Sequence, residues 1–212
     1  MEPQAVKIAL LGAESTGKTQ LSGELAHTLR ARGKRVEVVA EVLREWCARE
    51  GRTPRPEEQL PIAQEQERRV DEAGARADVV ISDTTSVMVA IYSAMLFEDG
   101  TLYRFALQRL HGYDVTLLTG LDLPWVADGL QRDGPHVREP VDALIRDALA
   151  KANVPYRMVY GTGPQRLQNA LAAIDALSPA ERATETSKRP WVWACDKCSD
   201  PECEHRLFTG LK

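Results

Sequence analysis

The sequence predicts a three-layer α/β fold: a five-stranded parallel sheet with helices on both faces, carrying a small C-terminal cysteine-rich appendage. Three observations support this. Short apolar and β-branched runs alternate with helical patterns through residue 177, the rhythm of a parallel sheet whose crossovers are helices. A glycine-rich turn joins the first run directly to the first helix. Three of the 4 cysteines lie beyond a polar stretch at the C-terminal end.

Each element has its own signal. Val6-Lys7-Ile8-Ala9-Leu10-Leu11 reads as a buried strand. Leu21, Leu25 and Leu29 recur at helical spacing until Gly33 stops the helix. Val36–Val39 is a second β-branched run. Helical patterns follow over Glu41–Glu50 and Glu57–Ala77, parted by Gly51 and Thr53-Pro54-Arg55-Pro56. Val79-Val80-Ile81 is the third strand and runs into Asp83. Helices are expected over Ser86–Phe97 and Thr101–Leu110, and a fourth strand over Val115–Leu118. Asp122–Glu139 reads as a loop rich in charge and glycine. Val141, Leu144, Ile145, Ala148 and Leu149 form an amphipathic stripe. Tyr156–Tyr160 is the fifth strand, and Leu167, Leu171 and Ile174 share one face of the last helix. The division is therefore an α/β domain over 1–177, a linker over 178–190 and a separate tail over 191–212.

Composition narrows the class. The 212 residues are 43% hydrophobic and 27% charged, within the globular range, and long enough to bury a core without staples. Lys plus Arg number 27 against 31 Asp plus Glu, a net charge of -4. That balance argues against a protein that coats nucleic acid, while leaving room for a local cationic pocket. No apolar run reaches membrane-spanning length, and the N-terminal residues lack the basic start and cleavage site of a secretion signal. A cytoplasmic protein is expected.

The strongest motif is Gly12-Ala13-Glu14-Ser15-Thr16-Gly17-Lys18-Thr19, a full G-x-x-x-x-G-K-T. Its glycines let the backbone curl so that successive N–H groups face an anion, and the following helix presents its N-terminus to the same anion. Lys18 is placed to reach the outer phosphates, and the Thr19 hydroxyl to ligate Mg²⁺. With Gln20 in the first turn of the helix, the expected nucleotide-contacting set is Gly12, Glu14, Ser15, Thr16, Gly17, Lys18, Thr19 and Gln20. The ligands implied are ATP and Mg²⁺.

Asp83 ends the third strand, where a carboxylate can hold Mg²⁺ directly or through water. The same acid could instead cap the next helix. Glu41 follows the second strand at the same sheet edge, either as acceptor ligand and general base or as a first-turn acid complementing a helix dipole. Arg132 and Arg138 lie in the loop after the fourth strand. Such arginines can close over a triphosphate and neutralise charge during transfer, or simply be solvated. Trp125 reads as a packing anchor or a substrate platform.

With these residues in view, the chain resembles the nicotinamide-riboside kinase domain of the NadR type, a branch of the P-loop NTPases, from about Lys7 to about Ile174. The likeness rests on the loop with its Glu14-Ser15 pair and on Glu41-Val42-Leu43-Arg44-Glu45-Trp46. It also rests on Asp83-Thr84, on Pro124-Trp125-Val126-Ala127-Asp128-Gly129-Leu130-Gln131-Arg132, and on Pro155-Tyr156 with Gly161 and Arg166. The resemblance implies transfer of the ATP γ-phosphate to the 5′-hydroxyl of a ribonucleoside, yielding nicotinamide mononucleotide. In it Glu41 is the acceptor-side carboxylate, Asp83 the metal-side one, and Arg132 and Arg138 the lid. Where the family phrase reads D-T-D, this chain has Asp83-Thr84-Thr85, without the second acid. No H-x-G-H phrase occurs, so the adenylyltransferase half often fused to such kinases is not expected here.

In the tail, Cys195-Asp196-Lys197-Cys198 is followed by Cys203-Glu204-His205. Three thiolates and an imidazole suffice for a structural Zn²⁺ site, with Trp191 and Trp193 covering one side. Free cysteines or a redox C-x-x-C are the other readings, although the strand-to-helix setting of thioredoxin-like chemistry is missing. Lone Cys47, on a helical pattern, reads as a small buried residue. Two functions are therefore carried forward. One is an ATP-dependent kinase acting on a small nucleoside. The other is a nucleotide-dependent regulatory ATPase whose zinc tail docks a partner not identified by the sequence.

Overall fold

The structure is a computed structural model that describes residues 4–97, 100–126 and 134–176. Arg132, the linker and the tail with Cys195, Cys198, Cys203 and His205 lie outside the described residues. Five strands form one sheet: β1 (Val6–Leu11), β2 (Val36–Val39), β3 (Val79–Asp83), β4 (Val115–Thr119) and β5 (Arg157–Val159). The order is β2-β3-β1-β4-β5 with every pairing parallel. The five strands stand where the apolar runs predict them.

Seven α-helices stand among the described residues, six of them between strands and the seventh after β5: α1 (Lys18–Ala31), α2 (Val42–Glu50), α3 (Pro56–Gly74), α4 (Ser86–Phe97), α5 (Thr101–Leu110), α6 (Arg138–Lys151) and α7 (Gly163–Asp175). No described helix is long and apolar enough to cross a membrane. Two differences from the sequence reading stand out. The charged loop ends earlier than expected, because Pro135–Val137 forms a 3₁₀ turn that leads into α6 at Arg138. The long helix α3 stops at Gly74, short of Ala77.

Alternation along the strands builds the layers. Ile8, Leu10, Ile81 and Leu117 point to one face, where Leu21, Leu25 and Leu29 of α1 and Ala170 and Leu171 of α7 cover them. Leu11 and Leu118 join the opposite core with Val87–Ile91 of α4, Ile62 of α3 and Val141 and Ile145 of α6. Helix α4 is apolar all round because α3, α5 and α6 enclose it. A smaller cluster under α3 holds Val39, Val70, Ala73 and Val80. Cys47 is buried and forms no disulfide among the described residues, and burial is what its place on a helical stripe suggests.

The sheet order decides where the site lies. Strand β1 is central, with β3 on one side and β4 on the other, so the crevice at its C-terminal end is a topological switch point. In register, Leu10 lies beside Asp83 and Leu11 beside Leu118. The loop after β1 therefore emerges between the ends of β3 and β4.

Helix α3 carries much of the surface charge. Pro56 sits in its first turn, and the Glu58 carboxylate accepts the Arg55 N–H at 2.7 Å while gripping the Arg52 fork at 2.7 Å through both oxygens. Further along, Glu65 accepts from Arg68 at 2.7 Å and Arg69 at 2.8 Å. These arginine hydrogen bonds hold both carboxyls at about 2, below the ordinary 4.5.

Two outcomes are expected. Ile81→Ala, at a fully buried position, should cost about 3 kcal/mol in denaturant unfolding, whereas Leu60→Ala, 43% exposed, should stay within about 0.5 kcal/mol. Depressed carboxyls stabilise the fold at pH above their unfolded value, and that contribution is lost as pH falls from about 4.5 towards 2. Thermal melts across this window should show the loss, and Glu58→Gln with Glu65→Gln should flatten it.

Candidate nucleotide and metal site

The glycine-rich loop occupies the crevice. Gly12 leaves β1 at φ 153°, and a Cβ on it would land on Thr119 Oγ1. Only glycine allows the backbone this close to β4. Ser15 (φ 57°) and Gly17 (φ 74°) take left-handed conformations, curling the loop before α1 begins at Lys18. Thr16 is fully buried, donating its hydroxyl to Ala13 O at 2.8 Å and accepting from Thr119 Oγ1 at 2.7 Å. The loop is thereby built against β4.

Lys18 Nζ donates to the carbonyls of Gly12 and Ala13, both at 2.8 Å, so its ammonium lies across the loop interior. The next residue is Thr19, whose hydroxyl donates to Asp83 Oδ2 at 2.6 Å. Asp83 is 3% exposed, and its second oxygen, Oδ1, is buried without a hydrogen-bond partner. A hydroxyl and a carboxylate side by side, with a bare buried oxygen, form a donor set suited to Mg²⁺. That ion prefers oxygen and typically takes one or two protein ligands beside phosphates and water. Among the described residues no group of three or more His, Cys, Asp or Glu gathers as a metal site.

The remaining expected residues are placed as follows. Glu14 is 9% exposed in the loop, and Gln20 is turned outward, donating to Glu24 at 2.8 Å. Glu41 precedes α2, and its carboxylate pairs with Arg44 at 3.1 Å. Arg138 opens α6 instead of standing in an exposed loop. It is 8% exposed, its Nη1 donates to Leu123 O at 2.9 Å, and its Nε and Nη2 are buried without partners. Burial pushes its pKa down, nearby Asp122 opposes that, and neighbouring Arg166 adds to it. Two desolvated, uncommitted donors beside the phosphate loop make Arg138 a ready anion ligand. Trp125 Nε1 is likewise buried without a partner.

Three features carry weight that the motif does not show. Arg166 on α7, 4% exposed, donates to Thr16 O at 2.8 Å, Gly161 O at 3.0 Å and Asp122 Oδ1 at 3.1 Å. It ties the ends of β4 and β5 to the phosphate loop. Its sequence signal is an arginine beside Leu167 and Ala170 on the covered side of an amphipathic helix. Asp122 also accepts Gly161 N–H at 2.6 Å. Ser15 Oγ bonds both the N–H and the carbonyl of Val126, at 2.8 and 3.1 Å, joining the loop to the segment after β4.

Comparison with known proteins agrees with this geometry. Two solved structures of NadR share the fold at 16% identity. One, in complex with NAD and AMP-PNP, superposes with a TM-score of 0.62 over 89% of this chain and 52% of its own. The other, in complex with NR, gives 0.64 over 82% and 51%. The chain thus spans about half the length of these structures. No curated protein sequence matches it. A family model described as an AAA domain (AAA_28) matches residues 7–166. The nucleotide loop, the sheet order and that match together place the chain in this AAA domain family of P-loop NTPases.

Proposed function

We propose that the chain is a Mg²⁺-dependent kinase that transfers the γ-phosphate of ATP to the 5′-hydroxyl of a ribonucleoside, with nicotinamide riboside as the leading acceptor. The observation that carries this reading is the Thr19–Asp83 pair at 2.6 Å beside Lys18, with Asp83 Oδ1 bare and buried. The likeness to NadR, solved in complex with NR and with NAD and AMP-PNP, supports the choice of acceptor.

In this reading the loop N–H groups and the α1 N-terminus hold the phosphates. Lys18 exchanges the Gly12 and Ala13 carbonyls for phosphate oxygens. Thr19 and Asp83 would hold Mg²⁺, which supplies charge neutralisation at the β- and γ-phosphates when bound. The acceptor oxygen attacks the γ-phosphorus and the bond to the β–γ bridging oxygen breaks, releasing ADP. Glu41, freed from Arg44, takes the hydroxyl proton. Arg138 directs its Nε and Nη2 at the equatorial oxygens, and Arg132, which lies outside the described residues, is the second arginine proposed to neutralise charge during transfer. Glu14 and Gln20 border the nucleotide.

Lys18→Ala should leave the fold intact by circular dichroism and lower transfer by at least about a thousandfold, on the scale of lost transition-state charge stabilisation. Turnover at the wild-type rate would remove the phosphate-loop assignment. A panel of nucleosides with ATP and Mg²⁺, read by mass spectrometry for a gain of phosphate, tests the acceptor. A product from nicotinamide riboside supports the kinase, whereas ADP release with no phosphorylated acceptor supports the regulatory ATPase. For the tail, Cys195, Cys198, Cys203 and His205 are proposed to bind one zinc ion per chain. Elemental analysis should find it in the full chain and lose it in Cys198→Ser.

A further inference from the structure

Behind the site, on α3, two adjacent polar residues are buried in an otherwise apolar layer: Gln66 at 1% and Glu67 at 3% exposure. Neither belongs to the phosphate loop, and the proposed chemistry uses neither. Their hydrogen bonds lead to the two carboxylates it does use. Gln66 Oε1 accepts the Val42 N–H at 2.9 Å, the first amide of α2 and the one that follows Glu41. Its Nε2 donates to Ser82 Oγ at 3.2 Å, the residue before Asp83. Glu67 Oε1 accepts the Ser86 N–H at 2.9 Å, the first amide of α4.

The turn they hold is strained. Thr84 adopts φ 83°, a conformation that β-branched residues resist, and its Oγ1 is buried without a partner. Such a conformation persists only where its surroundings over-determine it. Here the turn is gripped on both flanks. Ser82 Oγ donates to Thr84 O at 2.5 Å while taking the Gln66 amide, and Glu67 takes the amide two residues beyond Thr84. Thr85, where the resembling phrase has an acid, is fully buried and accepts the Val87 N–H through Oγ1 at 3.2 Å. Successive amides at the start of α4 are thus met by Glu67 and Thr85 together, so a buried carboxylate reaches this helix end from α3 instead of from position 85.

Glu67 itself is fixed from below. Its Oε2 accepts the Tyr113 hydroxyl at 3.1 Å and Arg109 Nε at 3.4 Å. Burial and the Glu67 charge push the Tyr113 phenol well above its ordinary value, so it remains a donor at neutral pH. Arg109 in turn pairs with Asp71 at 2.7 Å.

We infer that Gln66 and Glu67 are a positioning pair: from one turn of α3 they set the places of Glu41 and Asp83, and hence the spacing of acceptor-side and metal-side carboxylates. The inference rests on the proposed function for the roles of those carboxylates. Its test uses full-length protein and needs no acceptor. In Mg²⁺-free protein, Glu67→Met should speed hydrogen exchange at the Ser86 amide at least tenfold relative to the amides of β1. It should also raise at least fivefold the Mg²⁺ concentration giving half-maximal binding of a fluorescent ATP analogue. Glu67→Gln, which still offers an oxygen to Ser86, should stay within twofold on both. Gln66→Met should speed exchange at the Val42 amide in the same way, and carries the test if Glu67→Met does not fold. A folded Glu67→Met with wild-type exchange and Mg²⁺ midpoint overturns the proposal, as does Glu67→Gln failing as badly as Glu67→Met. If wild-type protein binds no ATP analogue, the proposed function falls, and the exchange results decide the positioning role alone.

Discussion

The contact between Gly12 and Thr119 constrains everything built around it. Strand β1 ends where β4 ends, and the space a side chain at position 12 would need is filled by the Thr119 hydroxyl. That hydroxyl lies within hydrogen-bond reach of Leu11 O and Thr16 Oγ1, so it can orient both the strand end and the buried floor of the loop. With the loop fixed at its floor, Lys18 and Thr19 leave on one side towards β3 and Asp83. Ser15 and the Thr16 carbonyl face the other, towards Val126 and Arg166. The anion cradle is preorganised because a backbone turn is pinned between two parallel neighbours. Preorganisation of this kind is what lets fixed dipoles stabilise charge without rearranging during reaction.

Much of this was legible in the residues. The five strands announce themselves through β-branched and apolar runs, since a parallel sheet buried on both faces needs little alternation. The loop, Lys18, Thr19 and the pairing with Asp83 follow from a local motif and from the rule that ligands gather at strand ends. Long-range partnerships were not legible. Arg166 reads as an oddity on an amphipathic helix until the fold brings it to Thr16. Gln66 and Glu67 read as part of a charged helical run, Gln64-Glu65-Gln66-Glu67-Arg68-Arg69, in which Glu65, Arg68 and Arg69 do face outward. Helical phase separates the buried pair from its exposed neighbours, and a count of charges cannot. The end of the charged loop was misplaced for a related reason. Gly134 and Pro135 look like breakers, yet Pro135 is well suited to start a helical turn, and Arg138 is drawn into the interior at the start of α6.

The site also shows how a buried charge is distributed. Burial loosens the Arg138 guanidinium's hold on its proton, nearby Asp122 opposes that, and the neighbouring Arg166 charge adds to it. Arg166 commits Nη1 and Nη2 to carbonyls and to Asp122 and leaves only Nε bare, whereas Arg138 commits Nη1 and leaves Nε and Nη2 bare. One arginine has both of its η-nitrogens engaged, and the other keeps Nε and Nη2 unmet in the interior. The asymmetry arises from their elements, since α7 runs under the loop while α6 begins at its margin.

Arg166 also has a consequence for the order in which the protein can be assembled. Its bond to Thr16 joins residues 150 positions apart, so the loop that opens the chain is completed by the last described helix. On a ribosome the glycine-rich loop is made before α7 and lacks this support until that helix has been synthesised and docked. Contacts of such sequence separation form late in folding because loop closure must precede them. A chain shortened before α7 therefore carries the whole glycine-rich motif without the Arg166 hydrogen bond that ties Thr16 to the ends of β4 and β5.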